Sequence, residues 1–352
     1  MKKSYFFGSD IFRNSVYGQN HPLNIARVWP AIDICKAEGW LENHHYHRIN
    51  PAPPDILSQF HDADYVQALW HAQQTQNLPD DLKDRYQIGR ASNPIFQEVY
   101  SRPATAAHAS YIAAQWLVSG KADVIYNPSG GTHHGRYDQA HGFCFVNDPV
   151  IALQEMMRHT SKPIIYVDID AHHCDGVSDW LSHHEQLLII SIHQQDLWPR
   201  TGQGDDRGMG QARNFPLSSG AGDAELITCL HEQILPLITA HKPAYLVVQA
   251  GADGHKDDPQ SKLCYSLAGY WGAIRKLLKF DLPTLLLGGG GYNPVITAKA
   301  WAGNWALIQG QDPEKAGLSE TSKNILRGLR WHHRLGRNPP QRWFSQLSDG
   351  EA

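Results

Sequence analysis

The sequence predicts an α/β protein, a three-layer sandwich whose central, mostly parallel sheet is flanked by helices on both faces. Five short runs of aliphatic residues predict the strands, at 122–127, 163–169, 187–193, 244–250 and 283–289. Their hydrophobicity is continuous rather than alternating, which is typical of strands that are covered on both faces. Polar or glycine-rich residues follow the runs, and segments of helical length lie between them.

Three of the intervening helices are predicted from their length and apolar spacing, at 104–117, 224–238 and 267–280. A chain of 352 residues permits one large domain or two. No repeat, charge block or low-complexity linker divides it, so a single domain over 1–352 is predicted, with its motifs within about 5–310. The extension from about 311 to 352 is rich in polar and aromatic residues, and its sequence does not indicate a function.

The composition argues against several classes of partner. The net charge is −4, without the basic excess of a nucleic-acid binder, so no nucleic acid is expected. The apolar run near the N-terminus is too short for a signal peptide, and no stretch approaches the roughly 20 apolar residues that span a bilayer, so no membrane is expected. Five scattered cysteines without a CxxC pattern indicate reduced thiols and a cytoplasmic protein. The oligomeric state is not predicted.

The predicted site lies where the strands end. In open α/β sheets, ligands bind outside the carboxyl ends of the strands. Four of the five runs lead into loops rich in reactive or glycine residues, with the sequences NPSGGTHHG, DAHHCDG, GADGH and GGGGYN. These four loops are therefore expected to meet at one edge of the sheet.

Asp170 and His172 predict a metal site. Two residues apart at the end of a strand, they project to the same side, and Asp253 at the end of another run can supply a third ligand. Three protein ligands with an open fourth position are typical of a catalytic zinc. The alternative is a helix cap and a hydrogen-bonded histidine. The concentration of three aspartates and a histidine within eight residues, 168–175, disfavours that alternative.

His133 and His134 predict the proton-transfer groups, because flanking glycines allow close backbone approach and the pair follows a predicted strand. Asp168 and Asp175 are expected to orient one imidazole each. Three further histidine pairs are expected to be exposed, at 44–45, 183–184 and 332–333.

Tyr292 follows four glycines, and its phenol can donate to an oxygen that becomes negative. A flexible turn is the simpler interpretation of that run, and a nucleotide loop is disfavoured because the GxGxxG spacing is absent. Together these groups predict metal-assisted hydrolysis of a neutral carbonyl compound.

The chain resembles the histone deacetylase family of the arginase-deacetylase superfamily, of the bacterial acetoin-utilisation type. The similar motifs are YGQNHPLNIARV at 17–28, NPIF at 93–96, GGTHH at 130–134, GFCFVND at 142–148, VDIDAHHCDG at 167–176, AGAD and GGGGYN. The resemblance implies zinc on Asp170, His172 and Asp253, with ferrous iron as an alternative metal. It further implies His134 as the base, His133 as its electrostatic partner, and Tyr292 as the donor to the carbonyl.

The same resemblance implies three accessory sites. An acyl-lysine tunnel would be lined by Gly142, Phe143, Trp198 and Gln260. Arg27 would mark the channel through which acetate leaves. A structural potassium ion would be held by Asp168, the main chain of Asp170 and His172, and Ser191. His255 and Cys174 stand where two-manganese arginase relatives carry carboxylates, which favours one catalytic metal.

Two departures from the family pattern bear on the substrate. Ser92 replaces an aspartate that clamps peptide backbones in many relatives, and Gln260 replaces the glutamate that reads a distant ammonium in polyamine deacetylases. The expected substrate is an acylated lysine in a protein or peptide, or a small acylated amine. An acetylpolyamine deacetylase is the alternative within the same chemistry, and a non-catalytic binding module is the alternative outside it.

Overall fold

The computed structural model describes residues 2–18, 21–90 and 92–349. Gln19 and Asn20 of the 17–28 motif and the last three residues of the C-terminal extension lie outside the described residues. Among the described residues, no helix combines the length and hydrophobicity needed to cross a bilayer.

Within the described residues, eight strands form one sheet, and every pairing in it is parallel. The strands are β1 (Ser4–Gly8), β2 (Tyr46–Arg48), β3 (Val124–Asn127), β4 (Ile164–Asp168), β5 (Leu187–Gln194), β6 (Ala212–Leu217), β7 (Tyr245–Gln249) and β8 (Thr284–Leu287). Their spatial order is β2-β1-β3-β8-β7-β4-β5-β6. The five predicted runs became β3, β4, β5, β7 and β8, which occupy the middle of the sheet except for β5 beside the edge.

The helices lie between the strands along the chain. They are α1 (Ile11–Asn14), α2 (Val28–Ala37), α3 (Pro54–Leu57), α4 (Ala63–Thr75), α5 (Asp80–Tyr86), α6 (Ser101–Val118), α7 (Asp148–His159), α8 (Asp175–Leu181), α9 (Asp223–Cys229), α10 (Leu235–His241), α11 (Leu267–Leu278), α12 (Pro294–Ile308), α13 (Glu320–Arg327) and α14 (Arg342–Ser345). A 3₁₀ turn, Arg334–Gly336, precedes α14.

The predicted helix at 224–238 is divided in the structure. A π-helical turn, Leu230–Ile234, separates α9 from α10. Pro236 lies at the start of α10 and lacks the amide that a continuous α-helix would use there, which accounts for the break in regular hydrogen bonding.

Helices cover both faces of the sheet, and the predicted three-layer α/β fold is confirmed. Alternate side chains of β4 enter two separate cores. Ile165 and Val167 pack with residues of α2, α11 and α12, whereas Ile164 and Tyr166 pack with residues of α4, α6 and α7. Because β4 is buried on both faces, its carboxyl end is held rigidly, and that end carries the candidate site.

Close packing between α11 and α12 makes a stability prediction possible. A Cβ atom on Gly303 would lie 2.3 Å from the ring of the fully buried Trp271. We expect Gly303→Ala to lower the free energy of unfolding by about 1–3 kcal/mol, because the ring must shift in a packed core. Urea denaturation measures this. Gly272→Ala in α11 is the matched control, since its Cβ would meet its nearest atom at 3.6 Å, and equal stability of the two variants would contradict the packing.

Candidate active site

The loops after β3, β4, β7 and β8 meet at one edge of the sheet. These strands are neighbours in the order β3-β8-β7-β4, so their carboxyl ends lie side by side. The four reactive loops noted in the sequence are therefore adjacent, and their ionisable side chains are buried.

Asp170, His172 and Asp253 form a cluster that can hold a metal ion. One potential ligand atom from each lies within 4.8 Å of the others. His172 Nδ1 lies 3.2 Å from Asp170 Oδ1 and 2.9 Å from Asp253 Oδ2. The two carboxylates and the imidazole thus converge on one point, as the sequence predicted.

Main-chain amides fix the second oxygen of each carboxylate. Gly290 N donates to Asp170 Oδ2 at 2.7 Å, and Ala171 N donates to Asp253 Oδ1 at 2.9 Å. A Cβ on Gly290 would lie 2.0 Å from Asp253 Oδ2, and one on Gly251 would lie 2.0 Å from Asp170 Oδ2. Glycine is therefore required at both positions for the backbone to approach the carboxylates this closely.

The electrostatics of this cluster fit a cation. Burial opposes ionisation of Asp170, but His133 and the hydrogen bond with His172 outweigh it and lower the pKa of Asp170. Burial and the charge of Asp170 raise the pKa of Asp253. Two adjacent buried carboxylates are costly unless a positive charge compensates them. Two carboxylate oxygens and one imidazole nitrogen are ligands that Zn²⁺ accepts in proteins, so these three side chains fit a zinc ion.

Two His–Asp pairs lie beside the cluster. His133 Nδ1 is 2.8 Å from Asp168 Oδ2, and His134 Nδ1 is 2.6 Å from Asp175 Oδ1. The two Nε2 atoms face each other at 3.0 Å. Each carboxylate therefore fixes the orientation of one ring.

The two imidazoles differ in their protonation. Burial disfavours the charged form of His133, but Asp168 and Asp170 outweigh it and raise its pKa to about 9. Burial and the neighbouring His133 lower the pKa of His134 to about 3. His133 is therefore an imidazolium that donates from both nitrogens, and His134 is neutral with its proton on Nδ1 toward Asp175. The lone pair of His134 is on Nε2.

Several supporting groups were not predicted. Tyr166 donates its hydroxyl to Asp168 Oδ2 at 2.6 Å, and Arg136 Nη2 donates to Asp175 Oδ2 at 2.6 Å. Asp148 accepts hydrogen bonds from the amides of Gly131 and Thr132. These bonds hold in place the loop that carries His133 and His134, which we call the histidine loop. Asp148 closes the GFCFVND motif, and Arg136 is two residues after His134, so both lie next to motifs that the sequence singled out.

His61 lies beneath the histidine loop. Asn147 N donates to His61 Nε2 at 3.0 Å, and His61 Nδ1 lies 3.1 Å from Tyr137 O. The Nε2 atom must therefore carry a lone pair, which fixes the neutral tautomer. Asn147 in turn donates to the carbonyl oxygens of His133 and Gly135 at 3.2 and 2.9 Å, so His61 supports the loop that carries the two catalytic candidates.

Burial lowers the pKa of His61 to about 4 from 6.5. Between these pH values the unfolded chain binds more protons than the folded protein. The contribution of His61 to stability is thus fully present above about pH 6.5 and is lost as pH falls toward 4, by about 3 kcal/mol in total. Urea unfolding of the wild type and of His61→Gln from pH 4.5 to 7 checks this, because the variant should lose part of the pH slope. Identical slopes would contradict it.

Tyr292 is placed by an aspartate that the sequence did not single out. Tyr292 N donates to Asp258 Oδ2 at 2.6 Å, and Asp258 Oδ1 accepts from Gln260 N at 2.9 Å. Burial raises the pKa of Asp258 and also that of Tyr292. The phenol of Tyr292 therefore stays protonated and can act as a donor.

A cavity of about 420 Å³ leads from the surface to His134, His172 and Tyr292. Its lining also contains the four residues predicted for a substrate tunnel, namely Gly142, Phe143, Trp198 and Gln260, together with Ser92.

The rings of Trp198 and Phe143 border this cavity, which we call the tunnel. The Trp198 ring lies 4.6 Å from that of His134, and the Phe143 ring lies 5.9 Å from that of Tyr292. Gly142 has a φ of +54°, and a Cβ there would lie 2.3 Å from Trp198. The tunnel is thus narrow and partly aromatic.

The remaining predicted residues lie behind or below the tunnel. Arg27 Nη1 donates to Gly289 O at 2.8 Å, and Arg27 lines a small inner cavity of about 40 Å³ together with His133, His134 and Tyr292. Ser191 is fully buried, pairs with Asp168 in the register of β4 and β5, and has its Oγ 2.9 Å from His193 Nδ1.

The C-terminal extension contacts the loop between Asp253 and Gln260. Asp349 lies 2.9 Å from His255 Nε2 and accepts from Leu267 N at 2.9 Å. On the same loop, Asp257 accepts from Arg342 at 2.7 Å. The extension therefore anchors the loop that carries a candidate metal ligand, a role that the sequence did not predict.

The expectation that three histidine pairs are exposed is correct for only one member of each. His44, His183 and His332 are exposed, whereas His45, His184 and His333 are half-buried. The partial burial of His45 follows from its contact with Trp305, and that of His333 from its stacking on Trp331.

The fold and the site define a parallel α/β protein with a buried Asp-His-Asp cluster beside two His–Asp pairs. A sequence model of the histone deacetylase domain matches residues 21–308. Probable histone deacetylase 19 of Zea mays is 32% identical over 316 residues, which cover 88% of this chain and 61% of the maize protein. Acetoin utilization protein AcuC of Bacillus subtilis is 30% identical over 327 residues, which cover 89% of this chain and 84% of AcuC.

A crystal structure of an HDAC homologue from Aquifex aeolicus is similar over nearly the whole fold. Its TM-score is 0.92 at 28% identity, and the match covers 99% of this chain and 95% of the homologue. The chain therefore belongs to the histone deacetylase family, and the resemblance found in the sequence is confirmed. The chain spans 61% of the length of the maize relative.

Proposed function

We propose that the protein is a zinc-dependent deacetylase that removes an acyl group, in particular acetyl, from the ε-amino group of lysine or from a lysine-like amine. The observation that carries this proposal is the buried Asp170, His172 and Asp253 cluster at the end of a narrow tunnel that also reaches His134 and Tyr292. Membership of the histone deacetylase family supports the same chemistry.

Asp170, His172 and Asp253 would hold the metal, either Zn²⁺ or Fe²⁺. When bound there, such an ion polarises a carbonyl group and lowers the pKa of water at its open position. The two carboxylates supply the negative charge that favours binding of a divalent cation at this site.

His134 would transfer the proton. Nε2 of His134 would exchange its contact with His133 Nε2 for one with a water molecule. That water attacks the amide carbon while Nε2 of His134 accepts a proton from it, and the same nitrogen then donates a proton to the departing amine. The products are a carboxylate and a free amine. Asp175 stabilises the imidazolium form of His134 that exists between the two transfers, and the charge on His133 keeps His134 neutral beforehand.

Tyr292 would donate a hydrogen bond to the carbonyl oxygen as that oxygen becomes negative. The protonated state of its phenol and its position in the tunnel lining support this role. The rings of Phe143 and Trp198 would enclose the methylene chain of the lysine. Gly142 leaves room for the Trp198 ring.

Two accessory roles form part of the proposal. Arg27 would guide the carboxylate product through the inner cavity, since its guanidinium lies beside that space. A potassium ion would be bound by Asp168, the main chain of Asp170 and His172, and Ser191. Asp168 is the last residue of β4 and pairs with the buried Ser191 within β5. Cytoplasmic residence, expected from the cysteine usage, stays a prediction.

The alternative function is deacylation of a small metabolite such as an acetylpolyamine. Ser92 at the tunnel mouth favours it, because a serine lacks the carboxylate with which a peptide backbone could be clamped. Gln260 disfavours it, because it stands where a carboxylate would bind a distant ammonium, and none of the described residues that line the tunnel carries a carboxylate. A non-catalytic binding module is the remaining alternative, and the complete set of candidate catalytic groups argues against it.

Hydrolysis of an acetyl-lysine peptide and of acetylputrescine by the zinc-loaded protein tests this proposal. We expect turnover of the peptide to exceed that of the amine. Turnover of the amine alone would support the metabolite deacylase. Absence of hydrolysis on a broad panel of acyl amides, with zinc bound in stoichiometric amount, would refute a deacetylase function.

A further inference from the structure

A second cavity lies beside the tunnel mouth. It has a volume of about 350 Å³ and shares Gln260 and Tyr292 with the tunnel, so little more than these side chains separates the two spaces. One wall is formed by the C-terminal extension, through Trp331, His332 and His333. A substrate whose acyl-lysine occupies the tunnel would present its neighbouring residue to this second cavity.

Among the residues that the structure describes, none in the lining of the second cavity carries a carboxylate. The lining is made of histidine, proline, amide, aliphatic and aromatic side chains. The nearby carboxylates of Asp257 and Asp258 are engaged elsewhere. Asp257 accepts hydrogen bonds from Arg342 and Trp343, and Asp258 accepts from Tyr292 N.

The part of the extension that forms the wall, residues 321–348, is strongly basic, although the whole chain has a net charge of −4. Between residues 321 and 348 it has no acidic residue. Its basic residues are Lys323, Arg327, Arg330, Arg334, Arg337 and Arg342. Lys323 and Arg327 pair with Glu320, and Arg342 pairs with Asp257.

Three exposed arginines, Arg330, Arg334 and Arg337, form no ion pair with any residue that the structure describes. Arg330 and Arg334 flank the wall residues 331–333 in the chain. Trp331 stacks on His333 with ring centroids 4.9 Å apart, so the segment between the two arginines presents stacked rings to the cavity. A basic surface next to a cavity without carboxylates attracts an anionic group and repels a cationic one.

We propose that the second cavity is a substrate subsite for a carboxylate-bearing residue, aspartate or glutamate, adjacent to the acylated lysine. This inference rests on the proposed function and specifies its substrate class: acyl-lysine in an acidic sequence context. The same charges disfavour acetylpolyamines, whose remaining amino groups are cationic. Arg330 and Arg334 are then specificity-determining residues, and Trp331 shapes the cavity.

Acetyl-lysine peptides that carry glutamate, glutamine or lysine at each flanking position in turn test the subsite. We expect kcat/KM to follow the order glutamate, glutamine, lysine at one of these positions. The advantage of glutamate over glutamine should be about two- to fivefold for each arginine involved, and it should shrink at high ionic strength because exposed charges are screened.

The double variant Arg330→Gln/Arg334→Gln should remove the preference for glutamate while leaving turnover of the glutamine peptide unchanged. A merely structural role of these arginines would lower both. Lys279→Gln is the control for loss of exposed positive charge, because Lys279 precedes the amino end of β8, whereas the site lies at the carboxyl ends of the strands. Trp331→Ala should weaken binding of the glutamate peptide without affecting acetylputrescine.

Fluorescence anisotropy of labelled peptides measures the same preference without hydrolysis, so this test is independent of the proposed function. If no acyl amide is hydrolysed but glutamate peptides bind more tightly, the deacetylase proposal fails and the subsite stands. Equal binding and equal turnover of the three peptides at every flanking position would refute the subsite. Equal effects of the double variant on the glutamate and glutamine peptides would refute it as well.

Discussion

Asp253→Ala is expected to abolish metal binding and hydrolysis together. The substitution removes one of three candidate ligands. Loss of a residue that merely orients a metal ligand already costs about 10- to 100-fold in affinity, so loss of a ligand should cost more than about 100-fold. Elemental analysis after gel filtration with zinc measures the metal content, and a deacetylation assay measures the activity.

Unfolding is not expected to explain this loss. Burial and the charge of Asp170 raise the pKa of Asp253, so removing this carboxylate relieves repulsion in the metal-free protein. Thermal unfolding of the metal-free variant should therefore resemble that of the metal-free wild type. Asp257→Asn, on the same loop but bonded to Arg342, should retain the metal. Stoichiometric zinc and full activity in Asp253→Ala would place the metal elsewhere.

Tyr292→Phe is expected to lower kcat by about 10²- to 10³-fold, because one donor to the developing oxyanion is lost. KM should change much less, since this hydrogen bond strengthens only as charge develops on the carbonyl oxygen. Steady-state kinetics on an acetyl-lysine peptide separate the two parameters.

Tyr265→Phe is the matched control for Tyr292→Phe. The Tyr265 hydroxyl is also buried, but it has no hydrogen-bond partner in the part of the chain that the structure describes. Its removal should leave kcat unchanged and should not destabilise the protein. A wild-type kcat in Tyr292→Phe would remove the phenol from the mechanism.

The sequence predicted the centre of the sheet better than its edges. The central strands are continuous aliphatic runs because helices cover both of their faces, as β4 and β7 show. The edge strand β2 has only three residues, YHR, and the edge strand β6 contains Pro216, so neither has the hydrophobic pattern of a buried strand. β1 was not predicted, because its short SYFFG run near the N-terminus is as typical of the apolar part of a signal peptide as of a strand.

Residues that bear the chemistry were predictable because they follow predicted strands within a few positions. Asp170, His172 and Asp253 are of this kind. Their supports come from distant parts of the chain, and no local pattern reveals such contacts. His255 and Asp349 are 94 residues apart, and His61 and Asn147 are 86 residues apart. Whether one domain accounts for the whole chain stays a prediction.

The separation of the metal-ligating candidates along the chain has a consequence for biogenesis. His172 and Asp253 are 81 residues apart and follow β4 and β7, which pair only once the parallel sheet has formed. Neither segment alone offers a complete coordination sphere, so a divalent ion bound there adds its binding free energy to that of the assembled sheet. Chelation of the metal would then lower the melting temperature of the protein as well as its activity. A cell starved of zinc would accumulate the less stable, metal-free protein.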